Sequence, residues 1–423
     1  MSGRRLPVRP NLTQLKNQAK DLLLRFRGGE PPAVEEFRKH HPEKISSAEA
    51  KLADAQLVLA RSYEASGWTR LVLACKLIDA IWRDDLETVR SIIEKNPQLL
   101  HENAGIRNSN WGPPMSYAAN LGRDAIIRML YEHGARDLEH AIGRATLQGK
   151  IETAGMLYAM LGAPPIPRGA LSGPAYTLSS AGTAFLFEHG ASAIDENGAT
   201  IAPVDVVICS DSRKPEEKHK ILEMYVKHGA QLPNTPVMAL HRGRIDLLEE
   251  HLRRDPRLLE RTFSHQEIFP PEFGCTGYVD TQGTPLDGTT LLHMCVDWDE
   301  FEIAEWLVEK GADVNTKSAV DPNGFGGYTP LFGAVVCYAN FWGNYRGEAP
   351  DTRFVKLLLD HGAEVNVRAS IRRMFEEDGK KIWREFRDLT PVAWGNAYPA
   401  KILVSQPAMQ MIRERGGIEN GLP

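Results

Sequence analysis

Residues 287–315 read DGTTLLHMCVDWDEFEIAEWLVEKGADVN, and the fold turns on how that stretch is parsed. Asp287-Gly288 is a turn pair, and the apolar run after Thr290 predicts a helix over 291–298. In DEFEIAEWLVEK (299–310), Phe301, Ile303, Ala304, Leu307 and Val308 fall on one face of an otherwise charged segment, which predicts a second, amphipathic helix with that face inward. Gly311-Ala312 then closes it, because glycine supplies the left-handed residue at which helices stop. Two helices follow one turn.

The closing Gly-Ala pair recurs at 134–135, 162–163, 190–191, 229–230 and 362–363, each time behind an apolar stretch of helical spacing, as in IIRMLYEHGA and VKLLLDHGA. The chain is therefore a repeat. His133, His189, His228 and His361 precede four of these glycines, and a cationic or hydrogen-bonding group there complements a helix carboxyl terminus, so all four are assigned to structure.

Ahead of the later stops lies a second pattern, since DGTTLLHMCV (287–296) and GGYTPLFGAVV (327–336) share a T-P-L-H-x-A signature that LTPVAWGNA (389–397) echoes. This resembles the ankyrin repeat. The match runs from Asp287-Gly288 through Thr290, Leu292 and His293 to Gly311-Ala312-Asp313-Val314-Asn315, departing at Leu291, where proline is usual, and at Asp299, where glycine is usual. Weaker copies give about nine helix pairs, at 76–100, 112–135, 139–163, 173–191, 202–230, 235–259, 287–315, 327–366 and 389–417. The stops at 134, 162 and 190 are only 28 residues apart, against about 33 for a regular unit, so the hairpin fingers there should be short or missing.

Residues 1–70 lie outside the repeat. PNLTQLKNQAKDLLLRFRGG predicts a helix capped at Asn11, and SSAEAKLADAQLVLARSYEASGW a second one. This segment resembles the helical leader of a group of bacterial ankyrin-repeat proteins, in which a PNLxQLKxQAKDLL helix is followed by an FRxHHP turn and an LADAQLVLAR helix. The resemblance implies architecture and no shared activity. The expectation is an all-α ankyrin-repeat solenoid with an N-terminal helical cap (1–70), degenerate repeats (71–260) and regular repeats with long loop insertions (261–423).

The 423 residues carry a net charge of −5, but residues 1–44 hold ten Lys/Arg against five Asp/Glu, which leaves −10 for the remainder and argues against nucleic acid as a partner of the body. Nowhere do eighteen apolar residues follow one another, and the basic start has no apolar run behind it. A cytoplasmic monomer that binds no membrane is expected. The five scattered cysteines contain no CxxC pair and are expected to be reduced, with no disulfide framework or zinc knuckle.

Insertions are where repeat arrays carry function, and here they fall at 101–111, 192–201, 260–286, 316–326, 338–351 and 367–388. Residues 265–350 hold thirteen Asp/Glu against three Lys/Arg, and thirteen aromatics among 86 residues. Acids and rings together suit a cationic or amphiphilic ligand or a protein segment. The candidates in the 260–286 insertion and its neighbouring helix are Glu267, Tyr278, Asp280, Asp297 and Trp298. Asp321, Tyr338, Trp342, Asn344, Tyr345 and Arg346 follow, the last five within CYANFWGNYRGE (337–348). Surface loops rarely gather that many rings without something to stack on.

His293 and Asp297, four apart on a predicted helix, could pair as acid and base, but the histidine of TPLH is a framework residue in ankyrin repeats, and two ligands are too few for a metal. No metal or cofactor is expected. GRATLQGKI (143–151) has the wrong spacing for a phosphate loop, and GxSxG, HExxH and GxGxxG are absent. IRRMFEEDGKKIWREFR (371–387) suggests a short helical hairpin. Two functions remain open: a binding scaffold with an acidic, aromatic-lined groove, or an enzyme using that groove with Glu267, Asp297 and His293 as acid–base groups and loop 260–286 as a lid.

Overall fold

The structure, a computed structural model, describes residues 4–107, 109, 111–210, 212–275, 283–336, 352–377 and 380–419. Contacts divide it into two compact units, Met1–Gly173 with Glu188–Gly190, and Pro174–Phe187 with Ala191–Pro423.

The first unit opens with α1 (Leu12–Arg27), α2 (Pro31–His40) and α3 (Leu52–Ser62). Asn11 caps α1 by accepting from the Gln14 amide at 3.1 Å, as its position predicts. The expected FRxHHP turn is corrected: Phe37, Arg38 and His40 belong to α2, which begins at a proline where a first helical turn tolerates one. The reason is packing, since Phe37 is buried and stacks on Phe26 with ring centroids 3.7 Å apart. Leu71 and Cys75 of α4 (Trp68–Trp82) join the same core. Helix pairs α4 and α5 (Leu86–Lys95), α6 (Pro114–Leu121) and α7 (Asp124–Glu132), and α8 (Leu138–Leu147) and α9 (Ile151–Met160) complete the unit.

The second unit takes in most of α10 (Ser172–Thr177) and α11 (Ser180–Glu188), followed by α12 (Val204–Ile208) and α13 (Pro215–Lys227), then α14 (Pro236–His241) and α15 (Ile245–Arg254). After the short α16 (His265–Ile268) come α17 (Leu291–Trp298) with α18 (Phe301–Glu309) and α19 (Pro330–Val336) with α20 (Arg353–Asp360). A hairpin of β1 (Ala369–Glu377) and β2 (Lys380–Leu389) precedes α21 (Pro391–Ala397) and α22 (Gln406–Glu414). Nine helix pairs of one plan are thus found among the described residues.

Their stops share one geometry. Gly134, Gly162, Gly190, Gly229, Gly311 and Gly362 all have φ between 83° and 108°, the region that only glycine enters freely. His133 and His361 donate from Nδ1 to the carbonyls four residues back, Met129 at 2.8 Å and Leu357 at 2.9 Å, which satisfies the helix ends as expected. Asp299 stands at the glycine position of its repeat with φ 64°, and its carboxylate meets Arg353. An aspartate tolerates that conformation better than most residues.

Between pairs, the fingers bond to one another. Phe263 donates to Thr289, Gly288 to Phe263 and Ala319 to Gly288, at 2.9, 2.8 and 2.7 Å, while Gly326 and Ser370 exchange bonds at 2.7 and 3.2 Å. Gly326 (φ 129°) is required there, because a Cβ would lie 2.0 Å from the Ala319 carbonyl oxygen.

The helical hairpin expected at 371–387 is corrected: within an otherwise helical repeat fold, β1 and β2 form a two-stranded antiparallel sheet. Phe375 pairs with Ile382, Met374 with Trp383 and Arg372 with Glu385, and the register shifts between Ala369 and Ile371. Ile371, Arg373 and Met374 are buried, whereas nearly all of β2 is exposed.

Candidate functional site

At α17 the polar residues singled out by sequence are committed to the framework. His293 is buried, its Nδ1 lies 2.9 Å from the Thr290 hydroxyl, and Nε2 donates to the Tyr328 carbonyl of the next repeat at 3.0 Å. Burial pushes its pKa down to about 4, so the ring is neutral near pH 7. It ties two repeats together.

Asp297, four residues on, is equally buried. Its Oδ2 meets Arg213 Nη2 at 2.9 Å, its Oδ1 accepts from the Gly283 amide at 2.9 Å, and its main-chain carbonyl accepts from Arg213 Nε. Arg373 of β1 in turn donates to the Gly283 carbonyl. The end of the 260–286 insertion is therefore pinned between an inner helix and the hairpin. One carboxylate orders three segments.

Beside this pair lies a group of charges that sequence reasoning missed. Glu300 is buried between Lys218 (2.5 Å) and His219 (2.9 Å). Burial raises its carboxyl, but Lys218 and then His219 outweigh that, and its pKa falls below the usual glutamate value. Lys218 also lies 5.1 Å from the centre of the Trp298 ring, whose other neighbours are His241 at 4.3 Å and Phe269 at 6.0 Å. His241 is buried, donates from Nε2 to Ile268 at 3.3 Å and has no partner for Nδ1 among the described residues. Burial, reinforced by Lys218, holds its pKa well below the ordinary histidine value. SDSRKPEEKHK (210–220) reads as a solvated charge run, and no spacing marks which of its members turn inward.

Glu267 sits at the surface, closing a capping box on Ser264 and meeting Arg261 at 2.5 Å. Burial raises its carboxyl, and the Ser264 amide and hydroxyl with Arg261 together outweigh that and bring it below the usual glutamate value. Asp321 accepts from the Phe325 and Asn323 amides at 2.9 and 2.8 Å and meets Arg372 of β1 at 3.3 Å. The Phe325 amide is the main cause of its lowered pKa. The Arg372 guanidinium lies 5.1 Å from the Phe325 ring centre and that of Arg387 4.3 Å from it, with Trp383 5.6 Å from Arg372. Acid and ring together hold a cation, and the cation is the chain's own.

Asp297 and Trp298 are thus interior, Glu267 and Asp321 are at the surface, and Tyr278, Asp280, Tyr338, Trp342, Asn344, Tyr345 and Arg346 lie outside the described residues. Among the described residues no group of three metal-ligating side chains occurs, and no helix is long and apolar enough to cross a membrane.

The family model of the ankyrin repeat matches residues 287–319. The chain carries an ankyrin repeat there, with the TPLH-type histidine and the left-handed stop in the places just described. No curated protein matches the chain. Among solved structures it is similar to the human ASB11 ankyrin repeat domain, at 17% identity over 73% of this chain and 99% of that one, with a TM-score of 0.25.

Proposed function

We propose that this is a binding scaffold of the leader-bearing bacterial type, a cytoplasmic monomer whose 261–423 region holds a cationic protein segment in an acidic, aromatic-lined groove. Ankyrin repeats generally mediate protein binding, which supports the coarse reading. The observation that carries the finer one is the grip of Asp321 and Phe325 on Arg372 and Arg387. Carboxylate pairing and cation–π contact act there on one guanidinium, the chemistry by which an arginine-bearing segment would be recognised. Insertions 260–286, 316–326 and 338–351 would supply the walls, with Glu267, Tyr278, Asp280, Tyr338, Trp342, Asn344, Tyr345 and Arg346 as contacts.

The enzyme reading finds less support. His293, Asp297 and Glu267 are each held by framework bonds, and a general acid or base must be able to reach a substrate proton. A random-peptide display selection against the whole chain tests the proposal. Enrichment of Arg- and Lys-bearing segments that Trp342→Ala weakens is expected; selection of acidic or purely apolar segments would overturn it.

A further inference from the structure

In the second unit the thiols of Cys209 and Cys275 face each other, with their sulfurs 3.7 Å apart. Cys209 follows α12, its amide donating to Asp205 at 2.9 Å, and is half-buried. Cys275 is buried and follows the 3-10 turn Pro271–Phe273, where left-handed Gly274 swings the chain back against α12. A Cβ built on Gly274 would lie 3.7 Å from the Asp205 carboxylate, so the two segments abut. Sixty-six positions of sequence separate these cysteines, and only the fold brings them together.

We propose that Cys209 and Cys275 are an oxidisable dithiol that closes to a disulfide, joining α12 to the 260–286 insertion. A disulfide bond is about 2.05 Å long, so the sulfurs must approach by about 1.7 Å. The reaction needs an oxidant, a small-molecule disulfide such as oxidised glutathione. The half-buried Cys209 is the thiol such a reagent reaches first: its thiolate attacks one reagent sulfur, forms a mixed disulfide and expels one reagent thiolate. The Cys275 thiolate then attacks the Cys209 sulfur and expels the second. Two protein thiols lose two protons and two electrons, and one reagent disulfide becomes two thiols.

The surroundings favour this pair over the other described cysteines. In the reduced pair the Cys209 S–H donates to Cys275 and lowers its pKa against burial and the Asp205 and Glu272 carboxylates, which raise it. Once Cys209 is in the mixed disulfide that bond is gone, and the second attack rests on the 3.7 Å approach of the two sulfurs. Burial pushes the Cys75 thiol up to about 11, and that of Cys295 well above the ordinary value, so both are poor nucleophiles.

The test treats the whole folded chain with oxidised glutathione and maps its peptides by mass spectrometry without reduction. The expected product is a cross-linked Cys209–Cys275 peptide pair that retains no glutathione. Cys275→Ser should stop at a stable glutathione adduct on Cys209, and Cys209→Ser should slow modification of Cys275 at least tenfold. In denaturant the selectivity should vanish. A wild-type chain that keeps its adduct on Cys209, or that cross-links other cysteines while folded, would overturn the proposal.

Discussion

At the scale of single residues, α17 shows how a sequence that could be catalytic becomes structural. His293 is held neutral by burial, with its folded pKa about 4 against 6.5 unfolded. The folded value is the lower one, so its contribution is fully present above pH 6.5 and is lost as the pH falls toward 4. That amounts to about 3 kcal/mol over the window. Urea denaturation of His293→Gln should show a stability loss of about 1–3 kcal/mol at pH 7 and a shallower decline between pH 6.5 and 4. Part of the decline should remain, because His241 is depressed by burial in the same direction. Asp297 is a sharper case: Asp297→Ala leaves Arg213 buried without its carboxylate and should cost about 3–5 kcal/mol. Arg213→Met combined with Asp297→Leu should recover much of that loss, measured by the same denaturation curves. The His293 role was legible, since TPLH names a framework position. Arg213 was not, because no spacing links residue 213 to residue 297.

Among the elements, six of the nine helix pairs were readable from two local signals, an apolar face and a Gly-Ala stop, whereas α5 and α15 end at Asn96 and Asp255 without a glycine. The β-hairpin was not. Ile371, Arg373 and Met374 are all buried, so a buried arginine and the register shift near Ala369 blur the two-residue alternation that marks a strand. The mixed charges of IRRMFEEDGKKIWREFR suit a solvated helix as well, although the Asp378-Gly379 pair between two strand-forming runs is a hairpin signal. The hairpin joins the preceding finger through Gly326 and Ser370. Gly326→Val should therefore destabilise the second unit by about 2 kcal/mol or more, since both its φ and the Ala319 carbonyl oppose a side chain. Hydrogen exchange should show the Ser370 amide losing protection; unchanged protection would mean the finger does not hold the hairpin.

For the molecule as a whole, the leader shares its core with α4, so it is part of the first unit and not a separate domain beside it. Phe37→Ala should cost about 3–5 kcal/mol, as removal of a buried aromatic does. Deleting residues 1–66 should produce aggregation on size-exclusion chromatography, because Leu71 and Cys75 would lose their cover. A soluble truncation with an unchanged melting curve would show the leader to be dispensable. The proposed groove was only partly legible. Its acid and ring content is a composition signal, whereas the arginines that meet Asp321 and Phe325 come from a hairpin about fifty residues away in sequence.

That intramolecular pairing gives the most direct measurement of the central claim, a titration of one selected cationic peptide against two variants by calorimetry. If Asp321 and Phe325 recognise a guanidinium, Arg372→Gln removes the internal competitor and should tighten binding by up to about fivefold, the scale of an exposed ion pair. Asp321→Asn should weaken it by a similar factor and flatten its salt dependence. Opposite signs are the prediction. Affinity unchanged in both variants, or shifted the same way in both, would contradict the account.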